Sequence, residues 1–470
     1  MSDTPYRLRW AALVTLLVAE AMNLLDTTIV QVAAPVIHER FGGPDSDVQW
    51  FGAAYTLPFA VLLITGGRLG DVYGRRRMFR VGVTGFVAAS ALCACAGSAE
   101  ALIAARAFQG AAAALIIPQT FGLIRAMFHG AELPRALGCI GPVMGLSAVC
   151  GPALGGIVTH AVSWRMTFLV NVPLGLAVLL AAPLLREDRA AVRPRLDLAG
   201  TALAVAGAGL VVYSLIGGRG HAWTAGGAGA ALLAAFAAHQ RWKSRRGRSP
   251  LVEVSLFRDR GFPAALASSV LFFSVMIGLS PVVVLQLRTG AHADVLTAGL
   301  TLLPWSFAMG VSSWVSGAYL VPRYGSRVMF AGLATLLCGI LSAAAVYATA
   351  SDDAYPWPLL PALAVAGLGL GMFTAPFFST ALARVRPHET GSAAGLLNAV
   401  QQFGGTVGIA LLGTVFFHAG TARAGAQHAL WTAAGLIVAT AVAAVFMTAP
   451  RDRRTDTLPR AGARAEERAS

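Results

Sequence analysis

Between Arg9 and Ile37 the chain reads RWAALVTLLVAEAMNLLDTTIVQVAAPVI, an apolar run with Glu20, Asn23 and Asp26 in its middle. The run is long enough to cross a bilayer as a helix, for which roughly 20 residues suffice. A carboxylate at that depth costs about 2.5–3.5 kcal/mol on insertion scales. Two of them argue for work, not anchorage. On a helix turning about 100° per residue, the three polar residues form a slanting stripe about 120° wide and ~9 Å tall. Such a stripe reads as one wall of a water-accessible path. Its carboxylates can take up and release protons or bind cationic solutes. Arg106 lies inside another apolar run and is as costly there as an acid, so it needs a carboxylate, an amide or water. Paired with Asp26 or Glu20 it makes a proton-responsive couple; a permanent structural ion pair is the competing reading. Of the 22 acidic residues only Glu20 and Asp26 lie deep in a span.

These residues need helices to hold them, and the composition supplies little else. The 470-residue chain is 56% hydrophobic and 12% charged, with mean hydropathy +0.66, whereas soluble domains run near a quarter charged. The expected class is an all-α polytopic membrane protein. Fourteen transmembrane helices are counted, at 10–37, 49–70, 78–98, 101–124, 137–160, 166–185, 198–217, 222–240, 262–287, 296–321, 327–349, 357–380, 392–417 and 429–448. With both termini in the cytoplasm, 29 Lys and Arg residues fall on the inner side and 5 on the outer. That is a positive-inside pattern, and it accounts for the net charge of +14 without nucleic acid. The cysteines lie within apolar spans, with the spacing of neither a zinc site nor a redox pair.

Gly66 to Arg76 reads GGRLGDVYGRR, and Gly317 to Arg327 reads GAYLVPRYGSR. Aligned without gaps, the two share Gly66/Gly317, Leu69/Leu320, Tyr73/Tyr324, Gly74/Gly325 and Arg76/Arg327. The repeat divides the chain into two six-helix halves, at 10–185 and 262–448. Parallel repeats of this kind are typical of transporters, with the binding site near the midplane between them. Residues 198–240 form a two-helix insert that reads as peripheral and free of buried charge. Residues 241–260 form a basic cytosolic linker, and 449–470 a charged tail without apolar periodicity, expected to be disordered.

The first repeat sits in a tight loop between spans. Its glycines, Gly67 and Gly74 among them, allow a sharp turn and close helix approach. Asp71 can pair with an arginine, latching that side of the protein in one state and releasing it in another. With Arg75 and Arg76 the segment resembles the G-x-L-x-D-x-x-G-R-[KR] loop of the major facilitator superfamily; Pro322 replaces the acid in the second copy. Arg106 with Gln109 and Gly110 is similar to the family's l-x-x-x-R-x-x-Q-G motif, associated with proton transfer. Gly145, Gly151, Pro152, Gly155 and Gly156 resemble its antiporter motif, G-x-x-x-G-P-x-x-G-G. Leu25-Asp26-Thr27-Thr28-Ile29-Val30 with Ala34-Pro35 resembles a signature of the fourteen-span drug:proton antiporters, departing from it at Gln31 and Ala34. Trp164-Arg165, Phe168 and Asn171-Val172-Pro173-Leu174-Gly175 look like a further signature of that branch.

The resemblance implies the major facilitator fold and a proton-coupled antiporter that exports amphipathic drugs or a natural product from the cytoplasm. The alternative is a proton-coupled carrier of a specific metabolite. No nucleotide-binding loop, metal cluster or catalytic constellation appears, so neither an enzyme nor a cofactor is expected. Asp26 is expected to carry the proton, and Glu20 to contribute to coupling or to cation binding. Asn23, Gln109, Asn398 and Gln401 are expected at the substrate. An apolar pocket is expected from Phe272, Phe273, Trp305, Trp314, Phe373, Phe377 and Phe378. Because the span at 392–417 offers only neutral Asn398, Gln401 and Gln402, monovalent or neutral amphipaths are expected over dications. The partners are then a small amphipathic molecule, protons and the lipid bilayer, with no nucleic acid. The chain is expected as a monomer in the bacterial cytoplasmic membrane.

Overall fold

The long apolar stretches of the chain become fourteen long helices in the computed structural model, which describes residues 7–130, 132–189, 196–217, 222–248, 250–349, 355–383, 385–386 and 389–448. The tail expected at 449–470 lies outside the described residues. In chain order the helices are α1 (Arg9–Phe41), α2 (Ser46–Tyr73), α3 (Arg75–Cys95), α4 (Ala99–Met127), α5 (Arg135–Ala161), α6 (Met166–Leu184) and α7 (Leu198–Ile216). They continue as α8 (Ala222–Arg245), then α9 (Gly261–Gly290), α10 (Val295–Tyr324), α11 (Arg327–Thr349), α12 (Leu359–Leu382), α13 (Thr390–Phe417) and α14 (Ala422–Thr448). Thirteen are long and apolar enough to cross a membrane. The exception is α8, expected as a span at 222–240: it is helical, but its alanines and glycines carry little hydropathy and its last turn is basic.

Local chemistry sets the ends. Ser98 caps α4 by accepting the Ala101 N–H at 3.3 Å, and Asp294 caps α10 through the Thr297 N–H at 3.0 Å. The repeat-related glycines Gly74 and Gly325 end α2 and α10 with φ of 104° and 59°. Side chains with a Cβ rarely adopt that conformation, which is why both copies keep glycine there.

Within α1–α6, α2 and α3 pack on α4, and α1 on α5. Within α9–α14, α9 packs on α13 and α14, and α12 on α10 and α11. The groups meet through α2 with α13 and α5 with α10. The insert is less peripheral than expected: α7 lies against both α2 and α13, across their boundary, while α8 packs on α7. Nor is it free of buried charge at its border. Asp197, which precedes α7, is 3% exposed and accepts bonds from Gln240 Nε2 at 2.9 Å and the Gly200 N–H at 3.0 Å. His239 Nε2 and Lys243 Nζ each lie 3.1 Å from it. Burial works against its charge, yet these donors outweigh burial and hold the Asp197 carboxyl well below the usual carboxylate range.

The two groups are joined unevenly along the membrane normal. Near the end where α1 finishes, Arg288 pairs with Glu39 at 2.7 Å and Ser280 donates to Gln31 at 2.7 Å. Nearer mid-depth, Thr406 donates to Thr56 at 2.8 Å. At the end where α1 begins, Gly141 and Gly145 of α5, Gly317 of α10 and Gly391 and Gly395 of α13 have nothing within 4 Å of where a Cβ would stand. Among the described residues, the side-chain bonds between α1–α6 and α9–α14 lie at mid-depth and at the far end.

Candidate functional site

Asp26 is fully buried, and five helices converge around it. Arg106 Nη1 of α4 lies 2.5 Å from its Oδ2. Gln109 Nε2, one turn further along α4, donates to Oδ1 at 2.8 Å, and Asn171 Nδ2 of α6 does so at 2.6 Å. The guanidinium is held in turn. Its Nε donates to the Phe51 carbonyl of α2 at 3.1 Å, and its Cζ stands 4.4 Å above the Tyr55 ring. Gln109 also donates to Ser90 Oγ of α3 at 2.9 Å. A carboxylate with three donors and an arginine so supported form a neutral, saturated unit, the condition under which burying two charges is tolerable.

Glu20 contrasts with this. It lies six positions nearer the start of the same helix and is 3% exposed. Its Oε1 has no hydrogen-bond partner among the described residues, and neither has Asn23 Nδ2. Asn23 does accept a bond from the Tyr55 hydroxyl. A buried carboxylate with no cation beside it is expensive as an anion and is made tolerable by a proton or a cationic guest.

The expected latch residues form one cluster. Asp71 accepts from Arg75 Nη2 at 2.8 Å, and Arg75 Nε lies 3.2 Å from Asp188. Glu187 accepts the Arg76 N–H at 3.1 Å, and Arg76 Nη1 donates to the Leu185 carbonyl at 3.2 Å. Gly67 packs against Pro118 of α4, and Gly74 makes the turn. These bonds stay among α2, α3 and the segment after α6.

The antiporter-motif residues divide along α5. Gly151 and Gly155 lie against Thr28 and Ile29 of α1, where a Cβ would collide. Gly156 meets Val295 and Leu296 of α10, and Gly299 of α10 would place a Cβ 2.5 Å from the Pro152 carbonyl oxygen. Gly145, nearer the entry end, has open space beside it. The motif thus carries close packing to α1 and the crossing to α10.

The expected substrate residues separate. Asn398 and Gln401 are half-buried on α13. Of the expected aromatic residues, Phe272, Phe273, Phe373 and Phe377 are buried in the packing of α9 against α12 in this state, with Phe272 stacked on Phe373 at 3.9 Å and Phe377 on Phe373 at 5.2 Å. Trp305 is buried against Gly367, and Trp314 is 64% exposed. Uniformly apolar helices do not reveal which face meets lipid, core or cavity. Between the groups, on the far side, lies a slot of about 30 Å³ lined by Thr27, Gln31, Gln49, Thr56, Gly278 and Ile409, room for a water or two. Sequence reasoning missed Asn171, Ser90 and Tyr55 as members of the centre. Asn171 was the one with a signal, a lone amide inside an apolar span.

With this geometry in view, comparison with protein families matches residues 16–409 to the Major Facilitator Superfamily. The chain belongs to that superfamily. Among its relatives, the probable actinorhodin transporter of Streptomyces coelicolor is 44% identical over 423 residues, covering 88% of this chain and 73% of that one. The puromycin resistance protein of Streptomyces alboniger is 36% identical, with 87% and 82% covered. The tetracenomycin C resistance and export protein of Streptomyces glaucescens is 33% identical, with 86% and 76% covered. This is a multi-pass membrane transporter of small molecules, and Asp26, Arg106 and Gln109 are its buried polar centre.

Proposed function

We propose that this transporter is a proton-coupled antiporter that exports amphipathic drugs or a natural product from the cytoplasm by alternating access. The observation that carries the reading is the buried Asp26–Arg106 pair at 2.5 Å, at membrane depth in a chain whose relatives are named for antibiotic export and resistance. The charge bias of the loops supports cytoplasmic termini in a bacterial cytoplasmic membrane. The end where α1 begins, which the bonds between the two groups do not reach, is then the cytoplasmic side, and we read the state as inward-facing. The working unit is a monomer: halves 10–185 and 262–448, with the insert 198–240 and the linker 241–260 joining them.

In this state Asp26 is held by Arg106. Glu20, buried with no cation paired to it among the described residues, is the carboxylate placed to bind a proton. Opening the far side separates Asp26 from Arg106 and lets it take a proton from outside. Returning inward re-forms the pair and passes the proton toward Glu20, which gives it up to the cytoplasm as an amphipathic substrate enters. Asn23, Gln109, Asn398 and Gln401 offer that substrate hydrogen bonds. Asp71, Arg75 and Arg76, with Gly67 and Gly74, hold the inner loop in this state and exchange partners in the other. A neutral substrate exchanged for one proton moves one charge, worth about 2.3 kcal/mol per 100 mV.

The test is exchange in acid-inside vesicles with the cytoplasmic face outward. Cationic and neutral amphipaths added outside are expected to release protons from the lumen in wild type and not in Asp26→Asn. Full proton-driven transport by a well-inserted Asp26→Asn protein would refute the assignment.

A further inference from the structure

Beside the loop between α2 and α3 lies an open hollow of about 650 Å³, lined by Arg76, Arg77, Arg80, Val81, Thr84 and Glu187. The acids nearby are already engaged. Asp71 and Asp188 are paired with Arg75, and Glu187 accepts the Arg76 backbone N–H. Arg77 and Arg80 are exposed and make no hydrogen bond or ion pair among the described residues. The fold does not demand them: by the spacing of the repeat, their counterparts on α11 are Val328 and Ala331.

Below the arginines the same helix face turns apolar. Arg77, Val81, Thr84, Ala88 and Leu92 recur at helical spacing and are all exposed, Val81 by 49% and Leu92 by 56%. The run spans about 22 Å at 1.5 Å per residue, more than the ~15 Å of hydrocarbon in one leaflet. Uncompensated positive charge at the interface above an uncovered apolar strip is complementary to one kind of molecule. We infer that Arg77 and Arg80 bind the phosphodiester headgroup of an anionic phospholipid, with an acyl chain along α3. The lipid belongs to the leaflet at the entry end. The inference needs a membrane-spanning chain but not the transport reading. Basic pockets beside transmembrane helices hold such headgroups elsewhere, each arginine contributing about 1 kcal/mol.

The experiment is native mass spectrometry of the full chain in detergent, titrated with phosphatidylglycerol or with phosphatidylcholine. Wild type should prefer phosphatidylglycerol. Arg77→Gln/Arg80→Gln should bind it roughly thirtyfold more weakly, about 2 kcal/mol, with phosphatidylcholine unchanged. The control Arg323→Gln/Arg327→Gln removes the same charge at the same end and should stay within about threefold of wild type. Soluble glycerol 3-phosphate should not displace the lipid; displacement as effective as phosphatidylglycerol's would overturn the lipid assignment in favour of a free phosphate. Unchanged phosphatidylglycerol affinity in a folded double Gln variant would overturn the site altogether. If that variant fails to fold, Arg77→Lys/Arg80→Lys keeps the charge and must retain the preference; its loss in folded protein would also count against the inference.

Discussion

Glu20 and Asp26 stand on one helix, both buried, in opposite conditions. Asp26 receives an arginine and two amides from α4 and α6. Glu20 has an oxygen, Oε1, with no hydrogen-bond partner among the described residues. Depth in the membrane is common to both, so depth does not decide their roles. What differs is how many neighbouring helices aim a donor at each. A saturated carboxylate is a structural ion until the helices move apart, whereas an orphaned one answers to protons and cations without any movement. On the proposed reading, that contrast would make Asp26 the conformation-sensitive carboxylate and Glu20 the one that answers to protons and cationic substrate.

The comparison breaks first at Asp26. Asp26→Asn leaves Arg106 buried without its counter-charge, a change that costs about 3–5 kcal/mol. Thermal unfolding in detergent should show a large loss, and adding Arg106→Gln should recover most of it without recovering transport. Equal melting of Asp26→Asn and wild type would mean the pair is not formed. Asn171→Ala removes one of the three donors to a charged group, worth about 1.5–3 kcal/mol, and an intermediate drop in melting is expected. If Asn171→Ala melts as wild type does, that third bond is not made.

At Glu20 the expectation reverses. Glu20→Gln should fold as well as wild type, because no cation is paired with Glu20 among the described residues. It should bind substrate and exchange substrate for substrate, yet fail to couple to a pH gradient. A strong destabilisation would reveal a partner cation. Asp197, outside the spans, tests the same rule away from the centre. Its carboxyl is held low in the folded state, so its stabilisation is present above the unfolded value of 3.8 and is lost as pH falls below it. Asp197→Asn should lower stability by about 2 kcal/mol near neutrality, and the gap should close progressively below pH 3.8. A gap that stays constant with pH would assign the effect to packing.

Much of the fold was legible. Apolar length marked the helices, loop charge ordered them, and the repeat at Gly66–Arg76 and Gly317–Arg327 placed two glycines that end helices with positive φ. The cost of Arg106 at depth pointed to an acid on α1, which is where its partner lies. Other features needed three dimensions. Asn171 and Ser90 reach the centre only through the packing of α6 and α3, which no spacing along the chain encodes. The phenylalanines of α9 and α12 face each other inside one group of helices, and an apolar helix carries no mark for that. Asp197 reads as a loop acid until His239, Gln240 and Lys243 are brought to it by the packing of α8 on α7.

The most direct measurement is the infrared carboxyl band of the protein held inward-facing at neutral pH. The account predicts a protonated-carboxyl stretch in wild type that disappears in Glu20→Gln and persists in Asp26→Asn. A band that survives Glu20→Gln and vanishes in Asp26→Asn would contradict it, placing the proton on the carboxylate that Arg106 holds.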